Sequence, residues 1–262
     1  MTSSDKAYYS MYLIGFIIMM AHTVIRCKKY GISRPRSVIY TLLTYVYGVG
    51  GAMIMGSVYS SAAAARGSGD MSKVAIFGAV IFAPIFLIIS VILENLGRRL
   101  LKKDQVSLRN TLDLLTPGIF IILTCAKFGC ALIGCCHGVG CTFGVYHPDL
   151  HMYVFPVQIC EVVCMMLIIY LVSILESRGK LRPGMKYFVT AGLYSVCRFF
   201  WEFFRYYDSP LMRNFCLGMT MWQACCLMVL LVSVIMILAL HSYSGAEKKK
   251  LPEPQPHRKK RK

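Results

Sequence analysis

Read for polarity alone, the chain alternates long apolar stretches with short polar connections. Apolar runs lie at roughly 8–25, 38–58, 74–96, 114–134, 155–175, 185–204 and 217–240. Each approaches the about 20 residues a helix needs to cross the hydrocarbon of a bilayer. The runs are too long and unbroken for barrel strands, which would be about ten residues each with alternating polarity. The pattern predicts an all-α, polytopic membrane protein of seven transmembrane helices. No repeat of fixed period is visible, so one helical bundle over 1–245 is expected, with a basic tail at 246–262. That tail is rich in Pro and charge and almost devoid of apolar side chains, a composition that cannot offset the entropy of ordering, and it is predicted to be disordered. No short apolar core followed by a small-residue cleavage site opens the chain, so the first run is expected to stay as a span.

Charge then orients the bundle. Arg26, Lys28, Lys29, Arg34 and Arg36 follow the first run, and Arg98, Arg99, Lys102, Lys103 and Arg109 follow the third. Arg178, Lys180, Arg182 and Lys186 follow the fifth, and the tail adds Lys248, Lys249, Lys250 and the run 258–262. The alternate connections hold only Lys6, Arg66, Lys73, Arg205 and Arg213. Basic residues collect on the cytoplasmic side, which places the N-terminus outside and the C-terminus in the cytoplasm. Composition agrees: 56% of the 262 residues are hydrophobic and 16% charged, more apolar surface than a soluble core of that size hides. The formal charge of +17 invites a nucleic-acid reading, but the cations sit between spans and in the tail, so no nucleic acid is expected as a partner. The basic tail suits anionic lipid, or acts simply as a topology anchor.

Polar groups inside the spans carry the first functional signal, because each ionisable one costs about 2.5–3.5 kcal/mol on insertion scales. Arg198, Glu202 and Arg205 are spaced by four and three residues, which puts all three on one helical face. Lys127 lies past the midpoint of the fourth span, and Gln158 and Glu161 occupy the first turns of the fifth. With the orientation above, every strongly polar intramembrane group is expected in the outer half of the bilayer. Lys127, Arg198 and Arg205 exceed Glu161 and Glu202 by one charge, a deficit that a lipid phosphate would fill through the planar donor fork of Arg. An internal ion-pair network locking the fourth, fifth and sixth helices is the structural alternative.

Four of the 12 cysteines form the pattern Cys130, Cys135-Cys136 and Cys141, with His137 alongside and Gly129, Gly134, Gly138 and Gly140 interspersed. Metal sites more often use closely spaced pairs such as C-x2-C. The expectation is therefore helix packing by small residues with reduced thiols, a disulfide or a metal being the alternatives. No metal or other cofactor is assigned.

Several segments, in order, resemble the bacterial prolipoprotein diacylglyceryl transferases. Residues 113–117, Asp-Leu-Leu-Thr-Pro, leading to Lys127-Phe128-Gly129-Cys130, are similar to the family's Asp-to-Pro segment and its Gly-Arg-Ile-Gly-Asn signature. Phe155-Pro156-Val157-Gln158-Ile159-Cys160-Glu161 resembles its His-Pro-x-Gln-Leu-Tyr-Glu stretch, and 193–205 its Arg-Phe-x-x-Glu-x-x-Arg helix. Met219-Thr220-Met221-Trp222-Gln223 resembles the segment that opens its last helix. Departures are concentrated in the signature, where Lys127 replaces the Arg, Cys130 the Asn and Cys135 the acidic residue. Phe77-Gly78 stands at the His-Gly motif, so the family's imidazole is absent.

The resemblance implies transfer of a diacylglyceryl group from phosphatidylglycerol to the lipobox cysteine of a preprolipoprotein, in the bacterial cytoplasmic (inner) membrane. It implies catalytic or orienting roles for Arg198, Glu202, Lys127 and Glu161. Headgroup binding would fall to Arg205, Arg198, Lys127 and Gln158, with Tyr8 and Tyr9 as further candidates. The base for the acceptor thiol would be Glu161, Glu202 or His137. Two other readings remain: a non-catalytic phospholipid-binding protein of the same fold, and a membrane thiol or metal protein built on Cys130 to Cys141.

Overall fold

The computed structural model describes residues 3–65, 75–207, 214 and 217–250. Among them run seven α-helices: α1 (Ser3–Arg26), α2 (Arg34–Ala64), α3 (Ile76–Leu100), α4 (Leu108–Leu132), α5 (Val157–Ser177), α6 (Met185–Trp201) and α7 (Met221–Lys250). All but α6 are long and apolar enough to cross a membrane. α6 is 17 residues long and carries Lys186 and Arg198, and its chain continues through a 3-10 turn at Glu202–Phe204. α7 runs to Lys250, into the first residues of the tail expected to be disordered, and 251–262 lie outside the described residues.

Local signals set the helix ends. Ser33 precedes α2 with Pro35 in its first turn, where the missing N–H is not needed. Ser107 caps α4, its Oγ accepting from Asn110 N at 3.3 Å. Gly184, at φ 88°, turns the chain into α6.

The bundle packs α1 against α4, α2 against α3, α5 between α4 and α6, and α6 against α7. Without a hydrophobic drive between helices in lipid, close approach of small residues does much of the work. Gly78 and Gly51 bring α3 and α2 together so tightly that a Cβ at Gly78 would lie 2.0 Å from Gly51 O. Leu93, Met166, Leu167 and Leu231 are exposed on outward faces, as expected where lipid is the solvent.

Between α4 and α5 the chain forms an antiparallel hairpin, β1 (Gly140–His147) and β2 (Met152–Val154), with Tyr146 opposite Tyr153 and His147 opposite Met152. This hairpin marks one end of the bundle.

A second group of charged residues, which the sequence reads as belonging to the connections, lies at the other end of α4. Asp113, 14 residues before Lys127 and so about 21 Å away along α4, accepts from Gly184 N at 2.7 Å and Lys186 N at 3.1 Å. Glu176 binds Lys186 at 2.6 Å and Lys29 at 2.8 Å beside it. These residues sit where the apolar runs end, so they read as connection residues although Asp113 and Lys186 are buried.

Candidate functional site

At the hairpin end, four buried side chains from α4, α5, α6 and the 3-10 turn after it meet. Glu161, on the first turns of α5, forms an ion pair with Lys127 Nζ of α4 at 2.5 Å and accepts from Arg198 Nη1 of α6 at 2.6 Å. The second guanidinium nitrogen of Arg198 reaches Glu202 at 2.6 Å. Lys127, Glu161, Arg198 and Glu202 are each 6% exposed or less. Such a network contributes less net stability than its distances suggest, but removing one partner strands a buried charge at about 3–5 kcal/mol. Counting Arg205, the cluster keeps its surplus of one positive charge.

Arg205 is not where helical spacing puts it. α6 ends at Trp201, and by Arg205 the backbone is extended, bridged to Gly138. Val139 N donates to Phe204 O at 2.9 Å, Tyr206 N to His137 O at 3.2 Å and Gly138 N to Phe155 O at 3.0 Å. The first two bonds tie the end of α6 to the segment after α4, and the third ties that segment to the start of α5. A Cβ at Gly138 would lie 2.5 Å from Phe155 O and 2.7 Å from Phe204 O, so only glycine fits. Arg205 still faces Glu202, at a looser 3.8 Å.

Glu202 has further partners that the sequence reading did not single out. Tyr207 and Thr220 hydroxyls donate to its Oε1, the latter at 3.2 Å. Thr220 Oγ1 accepts from Gln223 N at 3.1 Å while Gln223 Oε1 accepts from Thr220 N at 3.0 Å, a reciprocal cap on α7. The Thr-x-x-Gln spacing of 220–223 was the available signal.

Other predicted site residues divide. Gln158 Nε2 donates to Cys135 O at 2.6 Å, so in this structure it holds the cysteine segment. Tyr8 hydrogen-bonds Tyr12 at 2.9 Å and packs over Gly129, while Tyr9 is largely exposed. All three tyrosines line a cavity of about 380 Å³ whose walls also include Val49, Leu123 and Ala126, next to Lys127. Phe77 is buried, stacked on Trp222 at 6.0 Å and tilted against Tyr194 at 5.9 Å, one turn before Arg198.

The four-cysteine pattern splits. The sulfurs of Cys130, Cys135 and Cys136 all lie within 4.8 Å of one another, whereas Cys141 donates to Phe143 O at 2.7 Å. The cysteines described are free thiols. The gathering depends on two left-handed residues, Gly134 at φ 73° and Cys136 at φ 60°, which reverse the chain just beyond α4. Hydrogen bonds from Cys130 and Cys135, with Arg205 and Lys127 nearby, hold the Cys136 thiol well below the usual thiol range. His147 Nε2 pairs with Gly134 O at 3.0 Å, and the His147 ring packs edge-on against His137.

Compared with protein families, residues 5–239 match the family described as prolipoprotein diacylglyceryl transferase. Comparison with curated proteins gives no match.

Proposed function

Because this chain belongs to the prolipoprotein diacylglyceryl transferase family, we propose that it transfers a diacylglyceryl group from phosphatidylglycerol to the lipobox cysteine of preprolipoproteins. The reaction takes place at the outer side of a bacterial cytoplasmic membrane, with all seven helices embedded, the N-terminus outside and the C-terminus in the cytoplasm. The observation that supports this reading is the buried Lys127–Glu161–Arg198–Glu202 network, which with Arg205 carries one positive charge in excess, and an apolar cavity lined by Ala126, next to Lys127 in the chain.

The chemistry is a substitution at carbon. The acceptor sulfur bonds to the glyceryl carbon that carries the phosphate, the C–O bond breaks, and glycerol phosphate leaves with the electron pair. Stabilising that leaving group is the main electrostatic demand, and preorganised cations in a dry site meet it without reorganisation. Arg198 is committed to both carboxylates at 2.6 Å, while the ion pair of Arg205 is 3.8 Å long. Arg205 therefore receives the phosphate first, and Arg198 and Lys127 complete the positive field. Glu161 and Glu202 orient the cations. The cavity bordered by Tyr8, Tyr9 and Ala126 accommodates part of the lipid hydrocarbon.

A specific observation favours a second reading. Phe77, at the position of the family's histidine, is locked in a ring stack with Trp222 and offers no base. A protein that binds phospholipid without transferring it would have the same cationic cluster.

The test is replacement in cells depleted of their own diacylglyceryl transferase. The transferase reading expects lipoprotein maturation to be restored, and to be lost with Arg205→Gln. Accumulation of unmodified preprolipoprotein with the chain present in the membrane would favour the lipid-binding reading.

A further inference from the structure

The gathered thiols have no role in the substitution just described, yet they adjoin it. Cys130 follows Lys127 by three residues on α4, and Gln158, one turn before Glu161, holds Cys135 through its carbonyl. Zinc–thiolate bonds are about 2.3 Å, so three sulfurs on one ion stand about 3.8–4.0 Å apart. Sulfurs already within 4.8 Å need close by only about 1 Å to reach that spacing.

Of the three sulfur-bearing residues Cys130 is buried and Cys136 exposed, so a fourth ligand can reach the ion from the surface. Thiolate ligands select soft ions, zinc among the common divalent ones. Two of the three sulfurs, Cys130 and Cys135, occupy signature positions where this chain departs from its family, and the departure at Phe77 removes the imidazole.

We propose that Cys130, Cys135 and Cys136 form a three-thiolate zinc site whose open fourth position takes the acceptor cysteine. The metal site stands on the sulfur geometry; the acceptor role rests on the transferase reading. A metal-bound thiol is deprotonated outright, its proton passing to solvent. The zinc-held thiolate then attacks the glyceryl carbon and forms the S–C bond, while the C–O bond breaks and its electron pair leaves on glycerol phosphate. The thioether product is a poorer ligand than a thiolate, and it departs. Nothing is oxidised or reduced, and no side-chain base is required, which accounts for a working enzyme with Phe77 in place of a histidine.

The experiment uses the full chain, purified under reductant in detergent. Zinc per chain is counted after loading and dialysis, and Cd²⁺ titration is followed by thiolate-to-cadmium charge-transfer absorption. One equivalent is expected, with Cys130→Ser, Cys135→Ser and Cys136→Ser each weakening binding on the order of 100-fold or more, since outer-shell changes alone cost 10–100-fold. Cys27→Ser, at the opposite end of the bundle, leaves binding unchanged. A thermal melt of each variant separates lost ligation from lost folding. Sub-stoichiometric metal insensitive to all three cysteines, or a disulfide among them in protein isolated without reductant, overturns the site whatever the transfer result. Stoichiometric metal with equal transfer by chelated and zinc-loaded protein overturns thiol activation and leaves the transferase reading intact. Transfer lost on chelation and restored by Zn²⁺ in the parent, but not in Cys136→Ser, supports both. No transfer by either form sinks the acceptor role together with the transferase reading, and the Cd²⁺ titration then decides the metal site alone.

Discussion

Arg198 and Glu161 face each other across the α5–α6 contact with Nη1 and Oε1 2.6 Å apart, both almost wholly removed from solvent. Because Arg198 spends its other guanidinium nitrogen on Glu202 at 2.6 Å, this one side chain fixes α5 and the end of α6 together.

Arg198→Lys tests that double use. A lysine keeps the charge but not the fork, so one carboxylate loses its partner. Transfer should fall on the order of 10²-fold, comparable with removing one preorganised donor from a charge-stabilising site, while the melting temperature drops modestly. Arg198→Ala should destabilise by about 3–5 kcal/mol, because Glu161 and Glu202 each lose a buried charged partner. Melts and initial rates on the same preparations separate the two effects.

Gly138→Ala addresses the strap that places Arg205. The added Cβ would meet two backbone carbonyls at 2.5 and 2.7 Å, neither able to swing aside as a side chain would. Overpacking of this kind costs about 1–3 kcal/mol. Transfer should fall by more than that destabilisation explains, because the backbone bonds from Val139 and Tyr206 position Arg205. Activity retained at a temperature well below the melt would show that the strap is only structural.

Ala79→Phe fills the cavity from α3, where the side chain is half-buried on the lining. The expected result is a raised KM for phosphatidylglycerol with kcat and melting temperature little changed. A lipid with shorter chains should recover part of the loss.

Asp113→Asn serves as a contrast at the other end of α4. Both carboxylate oxygens accept from backbone N–H groups, at 2.7 and 3.1 Å, and an amide can satisfy only one. Leaving a buried donor unpaired costs about 1–3 kcal/mol, so stability should fall while the rate per folded molecule stays unchanged.

Topology is tested by accessibility. On a background without native thiols, Tyr153→Cys in β2, exposed at the hairpin, should be modified from outside the cell, whereas Leu101→Cys after α3 should be spared. The opposite labelling pattern would put the site on the cytoplasmic face.

Seven helices were legible as apolar runs, and six of them are long and apolar enough to cross a membrane. α6 was the weakest of them for a visible reason: Lys186 and Arg198 lie within its 17 residues, so its apolar stretch is short. Lys127, Glu161, Arg198 and Glu202 were legible as expensive polar groups, and they do converge. Arg205 was misplaced because counting by helical period assumes the helix continues, whereas hydrogen bonds to residues 137–139, distant in sequence, end it. The hairpin was hidden for another reason: its exposed strands lack a clean alternation of polar and apolar residues. Thr220 and Gln223 were noted only as part of the segment that opens the last helix, and nothing in the sequence paired Thr220 or Tyr207 with Glu202. The gathering of Cys130, Cys135 and Cys136 depends on two left-handed residues, and spacing alone does not reveal that turn.

The most direct measurement is the intact mass of a lipobox peptide incubated with phosphatidylglycerol vesicles and the purified full-length protein. The account predicts a mass gain of one diacylglyceryl group on the peptide's cysteine, lost when that cysteine is alanine, with glycerol phosphate released in equal amount. An unmodified peptide beside protein that still binds phosphatidylglycerol would contradict it.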